Sequence, residues 1–478
     1  MKSPSQIFER LEYYEDSYIT CLFRYSYQMM VIDNTVKARS LLCSIWDGIF
    51  YSILLGFGES FFSVFAIALG ATDLVLSLLS SLPMMLGSLS QLLSSQLIIL
   101  FKSRKRFVLM AALLQSLSLI PVIIIAVLNM AQPLLYLITI CFYWLFCFIL
   151  GPAWSSWMGD LVDDDKRGSY FGKRNRICGI IAFISFTTAG IILQYIKQAT
   201  GEPIKSFTVL FIVAVLARFV SIFFLSRQVD PPYNPGNQVR IGILDFLRKV
   251  GRSNFGSLIL FLCLMNFSVN ISAPFFAPYM IRELKFNYLT YTIINSTILI
   301  VKYLFMPVWG RAMDKYGTKK VITLCGFILP VLPLLWLICH DVYTLVLLHI
   351  FSGFTWAGFE LAAFNFLFDA TTKEERVAYL SYYNAFNGIY VFLGALLGGF
   401  VVGHFTFLGS LYTLTFLISG IFRLIVSLIF LSRVNEVRVV EHISYKNLLL
   451  LVLTALPSRG FVNKPVLFPK KPKQHADK

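Results

Sequence analysis

Charge is scarce in this chain: aspartate, glutamate, lysine and arginine together make up 14% of its 478 residues. A soluble domain carries about a quarter, so the ordinary soluble class is excluded. The five histidines are scattered, and no HExxH, nucleophile elbow, dinucleotide fingerprint or cluster of metal ligands occurs. Nothing in the residues points to an enzyme, a cofactor or a metal. The eight cysteines have no CxxC spacing and lie mostly in apolar runs, where they read as small buried hydrophobes rather than a disulfide framework. The first 43 residues lack the compact apolar core and small-residue cleavage site of a secretory signal. The first apolar span must then serve as the insertion signal.

What the chain has instead is apolar length: 57% of it is hydrophobic, and its mean hydropathy is +0.72. Crossing a hydrocarbon core of about 30 Å takes about 20 apolar helical residues, with every backbone polar group bonded internally. Twelve stretches qualify, near 44–70, 74–100, 107–129, 134–158, 177–196, 206–226, 256–281, 288–309, 321–339, 342–368, 377–403 and 409–432. They divide the chain into an N-terminal segment (1–43), six spans (44–226), a charged linker (227–255), six more spans (256–432) and a basic tail (433–478). An all-α integral membrane protein is expected, with "NLLLLVLTAL" (447–456) in the tail too short to span and suited to an interfacial or docking helix.

Of the 41 lysines and arginines, 34 fall in the termini and in alternate connections. The positive-inside rule therefore places both termini in the cytoplasm. The net charge of +16 reads as this topology signal and as a fit to anionic lipid headgroups, not as a nucleic-acid footprint.

The two six-span halves repeat each other. At a constant spacing of 209 positions Asp160 aligns with Asp369, Arg167 with Arg376, Tyr170 with Tyr379, Asn175 with Asn384 and Gly179 with Gly388. "RFVSIFFLSR" (218–227) likewise returns as "RLIVSLIFLSR" (423–433), and "ESFF" (59–62) as "APFF" (273–276). The connection between the eighth and ninth spans reads "GRAMDKYGTKK" (310–320). Its glycines lack the GxxxxGK[ST] spacing of a phosphate loop. In the matching place of the first half Lys105 and Arg106 persist, but Gln96 and Leu100 stand where Gly310 and Asp314 would be.

This duplication, with a glycine, an acid four residues on, a base, a second glycine and further bases in the turn, resembles the major facilitator superfamily over residues 44–432. Gly310, Asp314, Lys315, Gly317, Lys319 and Lys320 carry the turn's pattern. "DGIFYSILLGFGESFF" (47–62) and "GPAWSSWMGDL" with "RGSYFGKRN" (151–175) are similar to a bacterial branch whose members mostly have no assigned substrate. The resemblance implies the major facilitator fold, two pseudo-symmetric six-helix bundles, and a secondary transporter of a small solute in the cytoplasmic membrane, working by alternating access. It implies that Gly310, Asp314, Lys315, Gly317 and Lys319 form a latch at the seam between the halves; the plain alternative is a tight turn anchored by lysines. Asp160, Arg167, Asp369 and Arg376 either join that latch or only cap helix ends. With Leu100 in place of an acid, the first half's version must rest on Asp160 or the acids 163–165.

Ionisable residues inside spans cost at least about 2.5 kcal/mol and are functional candidates by default. Glu59 lies about 22 Å into the first span, beside Gly56 and Gly58. It reads as a coupling or substrate-binding carboxylate, or as a structural one bonded to a neighbouring helix. Lys302 and Glu360 fall at like depth and are expected to meet, as a strut or as a proton-sensitive switch. Arg218 and Arg423 repeat between the halves and read as structural. Asn266 and Asn270 stand one turn apart in the seventh span before Pro274 and Pro278, a substrate site or a hinge. The expected partners are a small solute, a proton or other cation and membrane lipid, with the monomer as the working unit. The rival reading is a membrane receptor or assembly factor that kept the fold without transport, or an uncoupled facilitator or lipid flippase.

Overall fold

The computed structural model describes residues 34–163, 167–231, 242–369, 376–436, 440–441 and 443–454. Twelve helices in them are long and apolar enough to cross a membrane. The first six are α1 (Val36–Ala68), α2 (Asp73–Leu93), α3 (Arg104–Val127), α4 (Pro133–Leu161), α5 (Tyr170–Thr200) and α6 (Lys205–Ser226). The second six are α7 (Asn254–Glu283), α8 (Tyr288–Tyr316), α9 (Thr318–Leu335), α10 (Val342–Leu367), α11 (Tyr379–His404) and α12 (Thr413–Phe430). The chain is an integral, multi-pass membrane protein, and every span expected from the sequence has its helix. The first starts ahead of its apolar run, where Lys37 pairs with Asp163 beyond α4.

Local sequence sets the helix starts. Thr72, Ser103, Ser253 and Asn287 turn their side chains onto the amides of Val75, Arg106, Gly256 and Thr290. Each cap satisfies an amide that the first helical turn leaves open and contributes about 1 kcal/mol. Asp341 starts α10 in the same way, accepting from the amides of Tyr343 and Thr344 and the Thr344 hydroxyl. These bonds, the Thr344 hydroxyl first, hold its carboxyl below the usual carboxylate range.

Packing repeats between the halves. In the first, α1 packs on α5 and α6, and α4 on α2 and α3; in the second, α7 packs on α11 and α12, and α10 on α8 and α9. The halves meet chiefly where α2 runs along α11 and α5 along α8. Small residues allow this: a Cβ on Gly190 of α5 would stand 2.2 Å from the Thr292 hydroxyl of α8.

Among the described residues, Ser94–Phe101 follows α2 outside the spans, and two further helices lie in the linker and the tail. Ile243–Arg252 in the linker buries Phe246 against Tyr379, Tyr382 and Phe386 of α11. Tyr445–Thr454 in the tail buries Leu448 and Val452, one turn apart, against α8 and α9. It leaves Leu450 and Leu453 exposed, so it docks on the protein along one face.

Candidate functional site: the broken helices and the two ends of the bundle

α1 and α7 are both interrupted. In α1 the α-helix stops at Phe57, a 3-10 turn covers Glu59–Phe61, and the helix resumes at Phe62. In α7 it stops at Ser272, a 3-10 turn covers Ala273–Phe275, and a short helix resumes at Phe276. The two breaks fall on the repeated "ESFF" and "APFF", so the same backbone defect occurs on both sides of the pseudo-two-fold. Pro274 removes a donor in the second half. In the first half Gly58 sits at the break, and the Ser60 hydroxyl reaches back to the Leu55 carbonyl.

Glu59 is half-buried at the first break, and its carboxylate takes a 2.5 Å hydrogen bond from the Tyr143 hydroxyl of α4. One layer nearer the basic turns, Tyr51 meets Cys147 at 3.3 Å, and the Arg218 guanidinium stands 4.8 Å from the Tyr51 ring. Arg218 donates to Ser221, and Ser221 donates to Asp47 at 2.7 Å. Asp47 also pairs with Arg174 of α5 at 3.4 Å, and Arg174 covers the Trp154 ring. A polar chain thus runs about 18 Å along α1 from Asp47 to Glu59, inside the first half. Asp47 did not figure among the sequence candidates. It is an acid within the first apolar run and could have been found by the test that singled out Glu59.

In the second half Asn266 donates to Asn387 of α11 at 2.7 Å, while Asn270 turns back onto the Asn266 carbonyl. Arg423 is buried and donates to Ser419, to the Leu329 carbonyl and to Ser272 beside the break. Lys302 and Glu360 meet, with Nζ 3.2 and 3.0 Å from the two carboxylate oxygens.

The basic end carries the duplicated turns. Gly317 closes α8 with φ of +92°, and a Cβ there would stand 2.3 Å from the Glu436 carboxylate, so only glycine fits. Glu436 accepts from the Lys319 amide at 2.8 Å, and Lys315 pairs with Glu441 at 3.5 Å. The segment after α12 thus straps the α8–α9 turn. The segment after α6 does the same for the α2–α3 turn: Ser103 donates to Asp230, Lys105 to the Gln228 carbonyl, and Arg104 to the Pro231 carbonyl. Each acid sits at a helix N-terminus, where the dipole favours it. Asp160 accepts from the buried Arg104 at 2.6 Å, within its own half. Asp314 is exposed, and Gly310 lies 3.7 Å by its Cβ position from Leu361. Arg167 opens the helix that contains α5, and Asp369 and Arg376 bound the connection between α10 and α11; their side chains lie outside the described residues.

The opposite end is clamped across the halves. Arg282, at the end of α7, pairs with Asp73 at the start of α2 at 2.9 Å and donates to the Ala71 carbonyl. Tyr412 donates to the same Asp73 oxygen at 3.0 Å, and Glu283 accepts from Ser410 and the Leu411 amide. Arg282 is not among the sequence candidates, because a pairing partner in the other half has no local signal. Replacing it with methionine is expected to open this end. Spin labels at Gln132 and Tyr343, on opposite halves, should then show a longer distance population by electron resonance, and an unchanged distribution would refute the clamp.

Among the described residues no group of three or more histidines, cysteines or acids could hold a metal. Two like six-helix halves, each with a matched break in its first helix, and one clamped end define a twelve-helix, multi-pass membrane protein. Residues 256–466, the second half of the chain, match the Major Facilitator Superfamily model. No curated protein matches the sequence. Among solved structures, a mutant of the nucleoside transporter NupG is 16% identical over 84% of this chain and 100% of its own, with a TM-score of 0.63. A D-xylose-proton symporter is 13% identical over 84% and 98%, at 0.65. A bacterial homolog of the human lysosomal transporter Spinster, inward-facing and unoccupied, is 12% identical over 84% and 96%, at 0.61. At these identities the likeness establishes the fold alone.

Proposed function

We propose that the protein is a proton-coupled secondary transporter that moves a small solute by alternating access. The observation that carries this reading is the pair of matched 3-10 breaks, with an ionisable carboxylate, Glu59, set at one of them. Broken helices free backbone groups only where they are buried or line a cavity, and their ends are common solute and ion sites in transporters. Glu59 is the coupling group: protonated it passes through the membrane field uncharged, and ionised it draws on the Tyr143 hydroxyl. Asp47, Arg174 and Arg218 set the potential around it from the basic side. Asn266 and Asn270 present the second half's polar face to the solute.

In this reading the basic end is cytoplasmic, both termini lie inside, and the membrane is the bacterial inner membrane. The clamp of Arg282 on Asp73 closes the outer end, so the conformer is one with its outer gate shut. Asp314, exposed beside Lys315 and Lys319, is free to engage the opposite half when the inner end closes. Arg167, Asp369 and Arg376 lie at the same end and complete that seam, while Asp160 stays bound to Arg104 within its own half. Arg218 and Arg423 hold the cores of their bundles, and the monomer is the working unit.

Uptake into proteoliposomes with and without a pH gradient tests the proposal. Solute entry that rises when the outside is made acidic is the expected result. Flux that ignores the gradient would rule out proton coupling, and no flux for any solute tried would favour a receptor on the same fold.

A further inference from the structure

A cavity of about 230 Å³ opens between α8 and α10, lined by Ile298, Leu299, Lys302, Trp356 and Glu360. Two features separate its ion pair from the structural charges of the bundle. Arg423 is 2% exposed with three of its nitrogens hydrogen-bonded, whereas the Lys302 and Glu360 side chains are 23% and 42% exposed. The pair also lies well inside the span, about 12 Å from Gly310 along α8, where an open charge is costly. It is therefore accessible and yet needs compensation.

We propose that this cleft is a binding subsite for a zwitterion of the α-amino acid class. The inference rests on the transporter reading and names its solute. A ligand with one charge would pair with Lys302 or Glu360 and strand the other in a low-dielectric wall, which is the expensive way to break an ion pair. A ligand carrying both charges replaces each partner in turn: its carboxylate meets Lys302 and its ammonium meets Glu360. Specificity then comes from repelling singly charged competitors as much as from attracting the zwitterion. The size agrees, since the volume falls just under the roughly 300–1,000 Å³ of pockets for drug-sized ligands. Ile298, Leu299 and the Trp356 ring, held edge-on to Phe359 at 5.8 Å, supply an apolar and aromatic wall for the side chain.

The test uses the purified full chain in detergent and the twenty standard amino acids, by thermal shift and then calorimetry. The best binder is compared with its decarboxylated amine and its deaminated acid. At least one amino acid should bind, and each singly charged analogue should bind at least about tenfold more weakly. Lys302→Met should shift preference toward the amine, Glu360→Gln toward the acid, and the double variant should lose amino-acid binding while melting near wild type. No amino acid binding, analogues binding equally well, or full binding by the double variant would each overturn the subsite. The analogue comparison needs no variant, so a misfolded mutant leaves it intact. Amino-acid binding without uptake would sink the transport reading and keep the subsite; uptake of another solute with no amino-acid binding would do the reverse.

Discussion

Glu59→Gln is expected to abolish accumulation driven by a pH gradient while leaving solute exchange in place. A single proton moving down one pH unit is worth 1.36 kcal/mol, enough for about tenfold accumulation, so the accumulation ratio should fall from about ten to unity. Glutamine keeps the size of the side chain and an oxygen to accept the Tyr143 hydroxyl. It has no ionised form, however, so the two directions of transport no longer differ in proton content. Counterflow of labelled solute measures exchange, and the imposed gradient measures coupling. If both are lost together, Glu59 is part of the solute site or the core. If neither changes, the coupling group is elsewhere, and Asp47, 3% exposed and paired with Arg174, is the next to replace.

The largest stability effect is expected at the contact between α7 and α11. A Cβ on Gly394 would stand 2.2 Å from the Phe267 carbonyl oxygen, and one on Gly398 would stand 2.1 Å from that of Ile271. These are backbone atoms, so no side-chain rotation relieves the overlap. The glycines lie four residues apart on one face, as in close-packed membrane helices. Alanine is the better helix former by about 1 kcal/mol, so propensity alone predicts that Gly398→Ala stabilises. The contact predicts the opposite, a loss of about 1–3 kcal/mol from overpacking, and impaired transport, because Phe275 at the α7 break lies 2.8 Å from the same Cβ. Gly403→Ala on the same helix, where nothing lies within 4 Å, is the control. Equal melting temperatures for the two variants would refute the close approach.

Span positions were legible because a membrane leaves one solution to the backbone, and run length reports it directly. The matched breaks were half legible. Pro274 announced the one in α7, and the alignment with "ESFF" pointed at the other, but no residue in α1 forces a 3-10 turn as proline does. Lys302 and Glu360 could be paired from depth alone, since both were counted from the same end of the bundle. The strap of Glu436 on the Lys319 amide and the clamp of Arg282 on Asp73 could not. They join residues 117 and 209 positions apart, in segments whose composition reads as ordinary loop, and only the packed bundle brings them together. Asp47 was legible by the same test as Glu59, since it lies within the first apolar run; only its enclosure by Ser221 and Arg174 needed the packed bundle.

The two straps also set an order of assembly. Residues 228–231 follow α6 directly, so the first half can tie down its α2–α3 turn as soon as the linker leaves the ribosome. The second half must wait for Glu436 and Glu441, made after its last span. Domains form in the order of synthesis, and here the delay falls on the half whose turn holds the exposed Asp314. A nascent chain halted just after α12 would hold a finished first bundle beside an untied second one, and that is the stage at which the growing protein is most open to misassembly.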